Sequence, residues 1–284
     1  MKVVGFGDNV VDRYINKNIM FPGGNAVNFA VYAKKSNVNS AYLGLFGDDA
    51  EGKYIKYVLN DLGVDISHCS EINGATTEHC DVNIINGDRV FISDDLRETK
   101  VRPIVLSNSE IEYLKEFDLI HSGCYAGVEK EIAKLKDLSS IISFDFSVED
   151  EFRSSEYLKQ ICPYIDFALF SCEHLSINEI KKFQQKVHNI GVKYVLSTMG
   201  VNGQLLYDGE NFYEGLVEKI TPLDTMGAGD SFFTSFLMSL LNDGWKKNVK
   251  LTEDQISNAF KVAAKFSAKV CMINGAFDYG TKII

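Results

Sequence analysis

Asp224 and Asp230 flank the small residues Gly227-Ala228-Gly229, and the apolar run "SFFTSFLMSLL" begins directly afterwards. Three tiny residues ahead of such a run mark a helix N-terminus. Backbone N–H groups there point outward without intrahelical partners, and small side chains let an anion approach them closely. The arrangement suits a phosphoryl group or developing negative charge. Asp230 falls in the first turn, where the helix dipole favours a carboxylate. Beside an anion cradle, it suits a general base that accepts a substrate hydroxyl proton. Taken alone, Gly-x-Gly-Asp is equally a flexible, capped helix start, and Asp224 either shapes the turn or helps arrange a nearby cation.

The surrounding elements must present that helix end to a substrate. The opening "KVVGFG" is an apolar run stopping at Gly7-Asp8, the pattern of a buried strand whose end faces a site. Asn25 to Lys35 has helical apolar spacing and basic residues in its last turn. "SAYLGLFG" reads as a strand, and Glu51 to Leu62 as a helix. In "TTEHCDVNIINGDRVFISD", two β-rich segments flank Asn86-Gly87, a hairpin turn dipeptide. This predicts a small projecting sheet that covers a ligand or pairs with a neighbour. Beyond it, "FDLIHSG", "SIISFDFS", "DFALFSC" and "KYVLSTMG" alternate with helical segments such as "EKEIAKLKDL", and the last helices are expected at 228–241 and 252–270. Such alternation predicts a mainly parallel α/β sheet covered on both faces, with ligands at the strands' carboxyl ends.

The 284 residues are 45% hydrophobic and 24% charged, which predicts one large folded domain over 1–284. Its lid is expected mainly from 76–100, with 9–22 as a further contributor. A formal charge of −10 without a Lys/Arg cluster argues against nucleic acid as a partner. No apolar stretch approaches the roughly 18 residues of a membrane span. Six scattered cysteines without a C-x-x-C pair, and no basic-plus-apolar leader, lead to the expectation of reduced thiols and a cytoplasmic location. Neither the cysteines nor the five histidines show metal-site spacing. "GFGDNV" lacks the third glycine of a dinucleotide fingerprint, having Val10 there, and no P-loop string occurs.

The full string "DTMGAGDSF" closely resembles the C-terminal signature of the ribokinase-like, or PfkB, sugar kinases. "GDNVVD", "PGGNAVNFA", "GLFGDDAEGKYI" and "LGVDIS" extend the resemblance through most of the chain. It implies a three-layer α/β/α domain with a small β-sheet lid, with ATP and Mg²⁺ as cofactors. By position, it implies Asp230 as base and Gly227, Ala228 and Gly229 as anion cradle. It further implies sugar contacts at Asp12, Gly23, Gly24 and Asn28, with Asn9 a further candidate. "STMGVNG" resembles the nucleotide-contacting strand-turn, making Thr198, Gly200 and Gly203 candidates, while Asn274 and Gly275 lie where related chains wrap adenine and sometimes a monovalent cation. One departure is visible: Ser171 and His174 stand at the family's N-x-x-E positions, with Glu173 shifted in register. No direct metal ligand is therefore assigned.

Within the family, "GDNVVD", "GGNAVNFAVY", "GVDISH", "DRVF", "FDFS" and "DTMGAGDSF" are most similar to the bacterial fructoselysine 6-kinase subgroup. This implies transfer of a γ-phosphoryl group to O6 of a fructosyl amine. In that reading Arg89 meets a substrate carboxylate and Asp94, Asp95 or Glu98 its ammonium; a solvated hairpin surface explains these residues as well. Fructose, a ketose phosphate, 2-keto-3-deoxygluconate and a nucleoside remain alternative acceptors, and a non-catalytic sugar or nucleotide sensor is the reading outside enzymes. A homodimer through the lid edge is a further expectation.

Overall fold

The structure, a computed structural model, describes residues 1–85, 88–95 and 104–284, with the side chains of 84, 88, 89, 91 and 93–95 left aside. Asn86-Gly87 and Glu98, and the side chains of Arg89, Asp94 and Asp95, lie outside the described residues. Among the described residues the main sheet comprises β1 (Lys2–Gly7), β4 (Asn39–Gly47), β5 (Ser70–Ile72), β8 (Leu119–Gly123), β9 (Ile141–Asp145), β10 (Phe167–Ser171), β11 (Tyr194–Thr198), β12 (Gln204–Tyr207) and β13 (Phe212–Gly215). Their order is β13-β12-β11-β10-β9-β8-β1-β4-β5. Pairing from β11 through to β5 is parallel, and β12 and β13 add an antiparallel edge.

The longer helices are α1 (Asn25–Lys35), α2 (Ala50–Asp61), α3 (Ile177–Ile190), α4 (Ala228–Asn242) and α5 (Glu253–Val270). One apolar cluster joins α3 and its neighbours to one sheet face, and a second buries Phe29 of α1 with Phe232, Phe233 and Phe236 of α4 against the other. Each such ring contributes roughly 1.5–3 kcal/mol on burial. Residues 231–240 of α4 are all buried, so this helix has little solvent face and its N-terminus is held rigidly. At Gly5 of β1 an added Cβ would collide with the Ala26 carbonyl, so strand and α1 approach to backbone contact. Thr252 and Gln255 form the capping box that starts α5.

A second sheet runs in the order β14-β3-β2-β6-β7, built from β2 (Val10–Tyr14), β3 (Ile19–Gly23), β6 (Glu78–Ile85), β7 (Asp88–Asp95) and β14 (Thr281–Lys282). Sequence patterning anticipates the two strands of the β6–β7 hairpin, and the 9–22 stretch, expected only as a further contributor, carries β2 and most of β3. Patterning misses β14, because two residues at the end of the chain carry no periodicity to read. Arg13 ties this sheet to the body through two N–H···O bonds to Glu51 Oε1, at 2.8 and 2.6 Å. A third cluster, including Tyr14, Phe21, Tyr32 and Phe277, fills the space beneath it.

Candidate active site

Gly227 caps α4 in the left-handed region, with φ +72°. A side chain there would be strained and would collide with the Tyr32 hydroxyl, which itself donates to the Ala276 carbonyl. Asp224 organises the approach to this turn. Its buried carboxylate accepts from the Met226 N–H at 2.9 Å, the Tyr14 hydroxyl at 2.7 Å and the Gly275 N–H at 2.8 Å. These three donors support the turn-shaping role. The first intrahelical bond runs from Ser231 N–H to Gly227 C=O at 2.8 Å. Amides earlier in the helix have no carbonyl one turn back. Ala228 N–H instead reaches the Thr225 carbonyl at 3.2 Å, which makes it a weaker member of the expected cradle. A Cβ at Gly229 would meet no atom within 4 Å, so space for an anion lies open there.

Asp230 is held by two amides from α1. Asn25 Nδ2 donates to Oδ1 at 3.0 Å and Asn28 Nδ2 to Oδ2 at 2.6 Å. A carboxylate oxygen accepts more than one hydrogen bond, so an acceptor hydroxyl can still approach. The Asn28 Oδ1 is buried without a partner, a vacancy that suits a sugar hydroxyl. The same edge gathers Asp12, whose carboxylate lies over Gly23, and Asn9, whose Cα lies 2.9 Å from a Cβ built on Gly24. Five expected residues, Asp12, Gly23, Gly24, Asn28 and Asp230, thus converge around the N-termini of α1 and α4.

Sequence reasoning missed the layer behind them. Asn25 Nδ2 also donates to Asp145 Oδ2 at 3.1 Å, and its Oδ1 pairs with His121 Nε2 at 3.0 Å. His121 Nδ1 meets Ser143 Oγ at 2.9 Å. Burial drives the His121 pKa down to about 3, so the imidazole is neutral, with its proton on Nε2 facing the Asn25 carbonyl. Asp145 behaves oppositely: burial first, then the nearby Asp230 charge, raises its carboxyl to about 7. Asp8 caps α1 with 2.7 and 3.2 Å bonds from the Asn25 and Ala26 N–H groups, a task that Gly24 has no side chain to perform. Asp145 ends the parallel strand β9, a placement that could have marked it, whereas His121 sits midway along β8 and carries no such signal.

Away from Asp230's network, Thr198 ends β11, and Gly200 (φ +53°) and Gly203 (φ +94°), the residues expected to contact nucleotide, form the following turn. Glu173 packs its carboxylate against Gly200, while the expected motif position His174 pairs with Arg153 at 3.2 Å. Arg153 also donates to the Ser171 carbonyl. Asn274 accepts from Lys17 at 3.2 Å, and Gly275 is packed on Phe21 with its amide on Asp224, so the structure does not bring these two to the 198–203 turn. Among the described residues, no three His, Cys, Asp or Glu side chains gather to cage a metal. No described helix is long and apolar enough to cross a membrane.

A parallel sheet with a carboxylate at a glycine-opened helix end, and a small sheet beside it, defines an α/β group-transfer enzyme acting on a hydroxyl. The chain belongs to the pfkB family carbohydrate kinases, whose family model matches residues 2–277. It is 32% identical over 281 residues to fructosamine kinase FrlD of Bacillus subtilis, covering 99% of this chain and 94% of that protein. It is also 32% identical to fructoselysine 6-kinase of Escherichia coli, covering 95% and 97%. Among solved structures, ribokinase of Giardia lamblia superposes with TM-score 0.82 at 16% identity, over 97% of this chain and 94% of that one. Arabidopsis thaliana ribokinase complexed with ribose and ATP gives 0.78 at 20% identity, with the same coverage, so the ribokinase-like fold is established.

Proposed function

We propose that the protein transfers the γ-phosphoryl group of ATP to a primary hydroxyl of a sugar, O6 of fructoselysine or a related fructosyl amine. The observation that carries the phosphoryl-transfer reading is Asp230, gripped by two amides beside the open helix end at Gly229. The two relatives named as fructosamine and fructoselysine kinases support the acceptor. Asn28, Asp12 and the Gly23-Gly24 backbone bind the sugar and aim its hydroxyl at Asp230. Asp230 accepts the hydroxyl proton as the oxygen bonds to the γ-phosphorus, and the bond from that phosphorus to the bridging oxygen breaks to release ADP. The α4 amides stabilise the charge on the transferring group. Thr198 and the 200–203 turn face the nucleotide. The oxygen donors fit a hard cation: Glu173, beside that turn, would hold Mg²⁺ together with phosphate oxygens, and the ion supplies screening of phosphate charge.

A coupled ADP-release assay against fructosyl amines and simple sugars tests this reading. Asp230→Asn should lower kcat about 10²–10⁴-fold while the fold is retained. Near-normal turnover would remove Asp230 from the role of base, and a preference for fructose would replace the acceptor.

The edge strand β7 and the exposed Ile85, Val90 and Ile92 support pairing with a second copy of this chain through the lid.

A further inference from the structure

A row of hydrogen bonds runs from the middle of the main sheet to Asp230. Ser143 of β9 pairs with His121 of β8 in the parallel register, and its Oγ lies 2.9 Å from His121 Nδ1. His121 Nε2 lies 3.0 Å from Asn25 Oδ1, and Asn25 Nδ2 reaches Asp230 Oδ1 at 3.0 Å and Asp145 Oδ2 at 3.1 Å. Ser143 is fully buried and His121 is 2% exposed, whereas Asn25 is only partly covered.

The direction of these bonds follows from their far end. An ionised Asp230 can only accept, so Asn25 must turn its NH₂ group towards it and its carbonyl towards His121. The imidazole, neutral in this buried place, then carries its proton on Nε2, and its bare Nδ1 accepts from the Ser143 hydroxyl. Every step from Ser143 to Asp230 is thus a donor facing an acceptor.

The packing holds the imidazole in place. Phe29 stacks on it at 4.5 Å and Phe233 meets it edge-on at 5.5 Å. Asn25 and Phe29 stand one turn apart on α1, so a single face of that helix presents both partners to the ring. The Asn25 carbonyl also needs Gly123, where an added Cβ would come within 2.6 Å of Oδ1. Among the described residues no second donor reaches that carbonyl. Without the His121 N–H, the partly covered amide would turn to find water, and its NH₂ group would leave Asp230 with it. Asp230 would keep the Asn28 bond to Oδ2 but lose the grip on Oδ1.

We propose that His121 is a positioning residue for the base: its Nε2–H holds the Asn25 carbonyl and so keeps the Asn25 amide aimed at Asp230 Oδ1. The inference rests on the reading that Asp230 accepts the acceptor's hydroxyl proton. His121 acts through Asn25 and not on the sugar, so its removal falls on proton transfer and not on acceptor binding.

Two substitutions separate this role from simple packing. His121→Phe keeps a flat ring between Phe29 and Phe233 but has no N–H. His121→Gln loses the ring but can place an amide N–H near the position of Nε2. Steady-state kinetics would use ATP and the sugar that the wild type turns over fastest, with thermal melts to confirm that each variant is folded. His121→Phe should lower kcat about tenfold with the sugar KM changed less than about twofold. His121→Gln should recover kcat to within about threefold of the wild type. The opposite order, with Phe tolerated and Gln damaging, would make His121 a packing residue and overturn the proposal, as would a loss confined to KM. A long-range ¹H–¹⁵N correlation spectrum of the wild type needs no variant to fold: at pH 7 it should show His121 neutral with its proton on Nε2, and a proton on Nδ1 would overturn the proposal. Asp230→Asn, measured alongside, tells the two readings apart. Normal turnover in that variant would remove the base and the positioning role together, whereas an unimpaired His121→Phe beside a crippled Asp230→Asn would remove the positioning role alone.

Discussion

Asn25 is the residue on which the site turns. Its one amide group meets Asp145, Asp230 and His121, so the proposed base is bridged to a second carboxyl that burial discourages from ionising. This has a consequence for pH. The Asp145 carboxyl is raised to about 7 in the folded protein from an ordinary value of 3.8. Between those values the folded chain binds more protons than the unfolded one, so this group makes stability fall as pH rises from about 4 to about 7. Asp145→Asn should flatten that decline and raise Tm most above pH 7, as followed by thermal melts across pH. It should also remove an inflection near pH 7 from the log kcat/KM profile. The residue escapes sequence reading because an aspartate within "IISFDFS" looks like any strand-end carboxylate until Asn25 is folded against it.

At the scale of elements, the helix end that opens α4 depends on two glycines for different reasons. Gly227 has φ +72° and lies against the Tyr32 hydroxyl, whereas the space at Gly229 is open. Gly227→Ala should cost about 1–3 kcal/mol by denaturant unfolding, because strain and collision act together. Gly229→Ala should leave Tm nearly unchanged but raise KM for ATP, since its methyl enters the space meant for an anion. Equal destabilisation by both would show that the turn is purely structural. Elements with strong local signals were legible: α1 spans the expected Asn25–Lys35, and α4 runs one residue past its expected end. The expected helix over "EKEIAKLKDL" holds only from Glu129 to Ile132 before tightening into a short 3₁₀ turn, where packing overrides propensity.

At the scale of the molecule, the lid is attached by contacts distant in sequence. Tyr14 of β2 reaches Asp224, 210 positions away, and β14 adds the chain's last residues to the same sheet. The lid is therefore coupled to the turn that carries Asp230. Its outer strand leaves Val90 and Ile92 about half exposed, at 47% and 53%. Sedimentation of the wild type should show a dimer, and Ile92→Lys should shift it towards monomer. A wild-type monomer at all accessible concentrations would remove the pairing through the lid.

The sequence alone determined most of the elements and singled out Asp230 as the candidate base. Periodicity, caps and glycine placement act over a few residues, and "DTMGAGDSF" concentrates helix end, anion space and carboxylate in one string. Only the tertiary structure decided what surrounds that base. Asn25, His121, Asp145 and Asp8 come from different strands and helices, and their hydrogen bonds exist only once the sheet order places β1 beside β8 and β8 beside β9. The same packing leaves Asn9 Oδ1 unanswered, because its partners Tyr42 and Leu45 arrive from β4. Local patterns name the residue proposed to take a proton, while long-range packing sets its surroundings.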